Sequence, residues 1–91
     1  LRAVQDEGYF LLENGIASFE DIDKGAELGL NYPMGPFRLM DLTGLDINYY
    51  NRQRHYKETG DEADRPPRAL EERFLRGDYG KKTGKGWYSY E

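Results

Sequence analysis

One histidine, no cysteine and a glycine-lysine run near the C-terminus bound the chemistry available to this chain. His55 stands among Arg52, Arg54 and Lys57 in a stretch with helical pattern. No carboxylate precedes it at helical spacing to orient it as a base, so it reads as an exposed surface residue. Without cysteine there is no thiolate nucleophile, thiolate metal site or disulfide. Gly80-Lys81-Lys82-Thr83-Gly84-Lys85-Gly86 invites comparison with a phosphate-binding loop. It fails that pattern: Lys82 follows Lys81 where Ser or Thr belongs, Leu75 holds the place of the first glycine, and no strand precedes it. A glycine-rich turn that folds Trp87, Tyr88 and Tyr90 back onto the rest of the chain explains the same residues, although its three lysines could also attract phosphate groups.

The acidic residues read as structural. Glu20, Asp21 and Asp23 cluster as metal ligands would, yet helix capping and dipole compensation account for them. Asp41 lies inside an apolar run; if buried it must be paired, and Arg38 or a backbone N–H is the expected partner. Nowhere do a nucleophile, a base and an orienting acid assemble. No G-x-G-x-x-G follows a strand, so no dinucleotide site is expected. No residue is assigned to catalysis or to a metal.

The elements that must position these residues are short helices. Leu1, Val4, Gly8, Leu11 and Leu12 share one face of a helix over residues 1–14, which stops at Gly15. Gly8 in its middle suggests close approach by another helix, since a mid-helix glycine costs about 1 kcal/mol against alanine. Ser18 caps a second helix, with Asp21 in the capping-box position. Pro33 pushes Tyr32 out of the helical region. Gly35 suggests a tight or positive-φ turn, and Pro36 suits the first position of a third helix over 36–43. Gly44 stops that helix. Asp46 is the expected cap of a fourth, from Ile47 to about Thr59, with Gly60 as its stop. Pro66-Pro67 closes a charged loop, and a fifth helix runs from about Pro67 to Arg76, ending at Gly77. The fold class is all-α: about five short helices in one small domain, with an irregular glycine-rich tail.

Composition narrows the function classes. Ninety-one residues fit one domain, of a size that buries about 60–65% of its unfolded surface. A net charge of −4 argues against nucleic-acid binding, which needs clustered cations. No apolar run approaches the ~20 residues of a membrane span, and no signal-peptide pattern appears. The lack of cysteine fits a reducing, cytoplasmic setting. The chain opens at Leu1 in mid-pattern, without a cap, and is expected to be a piece of a longer protein.

Three motifs occur in a telling order: Glu20-Asp21-Ile22-Asp23, then Pro33-Met34-Gly35-Pro36-Phe37 through Gly44-Leu45-Asp46, then Lys82-Thr83-Gly84-Lys85-Gly86-Trp87-Tyr88. Together they resemble the C-terminal helical domain of 3-hydroxyacyl-CoA dehydrogenases, over almost the whole chain, residues 1–91. Trp87 stands where phenylalanine is commoner in that family, and Gly8 where alanine often stands. The resemblance implies a domain that closes an acyl-CoA pocket and supplies most of a homodimer interface, in an enzyme of fatty-acid β-oxidation or hydroxybutyryl-CoA metabolism. It also implies that NAD and the catalytic His–Glu pair belong to an N-terminal Rossmann domain upstream of Leu1, leaving this chain inactive alone. On this basis Pro33, Met34, Gly35 and Pro36 are expected to line the acyl-CoA substrate, with Met34 touching the acyl chain. Phe37, Leu39, Met40 and Leu42 are expected at the dimer interface. A helical protein–protein interaction module without a metabolic role is the alternative.

Overall fold

The computed structural model describes residues 2–90. Five α-helices form: α1 (Arg2–Glu13), α2 (Phe19–Gly29), α3 (Pro36–Thr43), α4 (Leu45–Thr59) and α5 (Arg68–Arg76), with 3-10 turns at Glu62–Asp64 and Lys81–Thr83. The local signals act as their chemistry dictates. Ser18 accepts the Asp21 N–H at 3.1 Å and starts α2. Pro36 opens α3 behind Gly35. Gly60 and Gly77 end α4 and α5 with φ of 67° and 81°.

One expected cap is corrected. Helix α4 begins at Leu45, with Gly44 before it, so Asp46 lies in its first turn instead of capping it. Leu45 is fully buried and its N–H donates to the Tyr79 carbonyl at 2.7 Å. That contact draws the helix start two residues earlier. Asp46 turns outward to Lys82, whose ammonium meets its two oxygens at 2.8 and 2.9 Å.

Helix α3 is central, because α1, α2, α4 and the Lys81–Thr83 turn all pack against it. A short helix enclosed on so many sides buries most of its circumference. Phe37 and Met40 are therefore at 0% exposure in the domain's own core, beside Tyr9, Leu45, Tyr49, Leu70 and Trp87. This corrects their expected place on an interface. Of the four residues expected there, Leu39 is half-buried and only Leu42 faces solvent, at 56% exposure. Gly8 is explained by the same crowding: a Cβ there would sit 3.2 Å from the Phe37 ring.

The tail completes the core. Its backbone closes on itself through isolated bridges, Gly80 with Lys85 and Lys85 with Ser89. That turn inserts Trp87 edge-on against Phe37, ring centres 4.7 Å apart, and tilted against Phe19 and Tyr9 at 5.8 and 5.9 Å. Such aromatic pairs contribute about 0.5–1.5 kcal/mol each beyond the area they bury.

Candidate functional site

The loop before α3 is fixed from α2. With Gly35 at the cap position and Pro36 next, α3 has no side-chain cap of its own, and its first N–H groups need an acceptor. Asp23 supplies it. Its carboxylate accepts the Phe37 and Arg38 N–H groups at 2.8 and 2.9 Å, and the Tyr88 hydroxyl at 2.7 Å. Burial pushes the Asp23 carboxyl up from its ordinary value, and these three donors oppose that shift. Burial, and after it the hydrogen bond to Asp23, pushes the Tyr88 hydroxyl up as well. Asp23 thus does more than compensate its own helix dipole. It places a negative charge at the positive end of a neighbouring helix.

Gly35 has φ of −68°, so a positive-φ turn is not its reason. Space is. A Cβ at Gly35 would overlap the Asp23 Cβ and lie 2.5 Å from its Cα and Cγ. Glu27 accepts the Gly35 N–H at 3.0 Å and fixes the approach.

Asp41 repeats the device at the tail. It is 1% exposed and accepts the N–H groups of Trp87 and Tyr88 at 2.8 and 3.0 Å and the Tyr90 hydroxyl at 2.7 Å. A Cβ on Gly86 would collide with its Oδ1. Of the two partners expected for Asp41, the backbone N–H is found and Arg38 is not. Arg38 lies instead over the Tyr88 ring, 3.9 Å from its centre.

Pinned between these carboxylates, the loop presents Met34 half-buried, with Gly35 and Pro36 buried and Pro33 exposed. Met34 borders two clefts. One, of 180 Å³, is apolar and formed by Val4, Tyr32, Pro33, Met34, Pro36 and Leu39. The other, of 130 Å³, joins Met34 and Leu42 to Arg38, Lys81 and Tyr90. A larger apolar groove of 500 Å³ between α1 and α2 shares Val4 and Pro36 with the first.

Known proteins share this sequence and fold. The family model described as 3-hydroxyacyl-CoA dehydrogenase, C-terminal domain, matches residues 1–90. The chain belongs to this family. It is 40% identical over 80 residues to a 3-hydroxybutyryl-CoA dehydrogenase of Mycobacterium tuberculosis, covering 88% of this chain and 28% of that protein. It is also 40% identical over 86 residues to the mitochondrial hydroxyacyl-coenzyme A dehydrogenase of Homo sapiens, covering 93% of this chain and 27% of that one. A crystal structure of (S)-3-hydroxybutyryl-CoA dehydrogenase from Ralstonia eutropha superposes with a TM-score of 0.87 at 40% identity, over 94% of this chain and 30% of that one. The chain therefore spans less than a third of the length of these relatives.

Elsewhere the 3-hydroxyacyl-CoA dehydrogenase C-terminal domain carries a polar cleft. A cleft of 340 Å³ along α4 is lined by Gln5, Asn48, Asn51, Arg52, Arg54, His55 and Glu58. His55 is exposed there, 3.4 Å from the Asp64 carboxylate. Arg52 is the residue sequence reasoning missed: it is buried, pairs with Asp6 at 2.8 Å and donates to Gln5 at 3.2 Å. Its signal was the spacing of Leu45, Tyr49 and Arg52, which puts it on the inner stripe of α4. Among the described residues no group of three or more His, Cys, Asp or Glu could hold a metal. No helix there is long and apolar enough to cross a membrane.

Proposed function

We propose that this domain forms one wall of the acyl-CoA pocket of a 3-hydroxyacyl-CoA dehydrogenase that oxidises a 3-hydroxyacyl-CoA to the 3-oxoacyl-CoA. The observation that carries this reading is Met34: in a domain this small it is left half-buried between two clefts, on a loop held rigid by Asp23 and Glu27. A preorganised apolar corner ending in a flexible thioether suits a site that accepts chains of varied length. Pro33, Gly35 and Pro36 position that thioether. Among the described residues no strand is followed by a glycine-rich phosphate loop of the kind that cradles a dinucleotide. In this reading NAD and the proton-accepting histidine belong to an N-terminal Rossmann domain, and the isolated chain is inactive.

The decisive comparison uses the whole enzyme. Met34→Ala should raise KM or change chain-length preference more than it lowers the melting temperature. A variant with unchanged kcat/KM and chain preference but a lower melting temperature would make Met34 a packing residue and overturn the reading.

A homodimer belongs to the same reading. With Phe37 and Met40 inside, Leu42, 56% exposed, is the one of the four expected interface residues left open to a second copy. Symmetry would place the same corner on both partners.

A further inference from the structure

We propose that the two clefts bordering Met34 form one amphipathic subsite, in which the apolar cleft takes a short acyl chain and Arg38 with Lys81 receive a carboxylate at that chain's far end. The inference rests on the acyl-wall reading above and adds a substrate class to it: thioesters of dicarboxylic acids.

Two cations on this face stand without a direct carboxylate partner. Arg38 and Lys81 line the 130 Å³ cleft together, and among the described residues neither forms an ion pair. The nearest buried carboxylates are already engaged. Asp23 and Asp41 each accept three uncharged donors. Arg38 stacks its flat face on Tyr88 at 3.9 Å, which leaves its N–H edge for a carboxylate, the group that edge fits in a two-pronged way. Lys82 is committed to Asp46, and Lys85 lines none of the clefts described here. Lys81 is thus the tail lysine available.

The partner of these cations must carry its charge close to an apolar stem, because Met34 belongs to both clefts. A terminal carboxylate on an acyl chain meets that requirement. With the acyl chain in the apolar cleft, the phosphates of CoA lie a whole pantetheine arm away from it and do not reach these cations.

The chain's two methionines provide the test. With 13C-labelled methionine methyls, Met34 reports on the junction, and Met40, at 0% exposure, reports on the integrity of the core. The probes are hexanol, hexanoate and inorganic phosphate at matched ionic strength. Both C6 compounds should shift the Met34 methyl saturably, with hexanoate about fivefold tighter, while phosphate leaves it in place. Arg38→Gln combined with Lys81→Gln should erase the advantage of hexanoate without changing hexanol, and the Met40 signal should stay where it was. The inference is overturned if hexanoate binds no tighter than hexanol, if the double variant keeps the difference, or if phosphate moves Met34 as far. If hexanol shifts Met34 and the carboxylate adds nothing, the acyl wall stands and this inference alone falls. If neither C6 compound moves Met34, both fall.

Discussion

The two flanks of this domain hold buried charge by opposite means. Around α3, Asp23 and Asp41 are each met by backbone N–H groups and tyrosine hydroxyls, with no cation among the hydrogen-bond partners. Along α4, the buried Arg52 is answered by Asp6, whose side chain is 47% exposed. Fixed neutral donors around a carboxylate are short, directional and little affected by salt. A pair with one partner in water is screened and worth about 0–1 kcal/mol. One flank is thus a rigid frame, and the other a set of adjustable surface pairs. The frame also leaves the neighbouring cations without internal work.

The largest effect expected is at Asp41. Asp41→Ala removes the acceptor of three donors at once, two of them backbone N–H groups beside the core, and should cost about 3–5 kcal/mol. Asp6→Asn on the other flank should cost under about 1 kcal/mol, shrinking further with added salt. Urea denaturation at low and high salt, followed by Trp87 fluorescence, compares them. Equal costs, or a salt-sensitive Asp41 effect, would erase the distinction between the flanks.

A smaller effect separates two glycines on the α2–α3 flank. Gly35→Ala should cost about 2–3 kcal/mol by forcing Asp23 away from the start of α3. Gly25→Ala, where an added Cβ meets nothing within 4 Å, should instead stabilise by about 0.5–1 kcal/mol. Thermal melting of both variants sharpens the claim that contact with Asp23, and not glycine in general, is what position 35 requires.

The smallest effect is a pH dependence on the surface side. Partial burial raises the Asp46 carboxyl, but its hydrogen bond with Lys82 and the Ile47 N–H outweigh this and hold it below its ordinary value of 3.8. Its folded pKa lies below its unfolded one, so the stability it contributes is present above the ordinary value and is lost as pH falls through the folded one. Asp46→Asn should therefore cost under about 1 kcal/mol at neutral pH, and its difference from the unaltered chain should vanish in strong acid. Chemical denaturation between pH 7 and 2 reads this directly; a difference that grows in acid has the wrong sign.

Local signals carried the fold well. Ser18, Pro36, Gly60 and Gly77 act within a few residues of themselves, so the helices they bound were legible from the sequence. The same locality explains the misplaced start of α4, where Asp46 offers a plausible cap but a contact from Leu45 to Tyr79, far along the chain, decides. Long-range partners were not legible. Asp23 read as a capping or dipole-compensating acid because its donors are 14, 15 and 65 positions away. A hint was present: Gly35-Pro36 leaves α3 uncapped, so an acceptor had to come from elsewhere. Phe37 and Met40 read as surface candidates because an apolar run does not reveal how many neighbours will enclose it. The 33–36 loop was visible as a rigid turn, whereas the meeting of Arg38 with Lys81 depends on how the tail folds back.

The separation between Asp41 and its donors also sets a schedule for synthesis. The Trp87 and Tyr88 amides lie 46 and 47 residues beyond it. At ribosomal rates of about 5–20 residues per second, they are made about 2–9 s after Asp41. During that interval the carboxylates of Asp23 and Asp41 lack their tail donors, and the ring of Trp87 does not yet exist. The core can therefore close only in a late step, after the stretch carrying Trp87, Tyr88 and Tyr90 has been made.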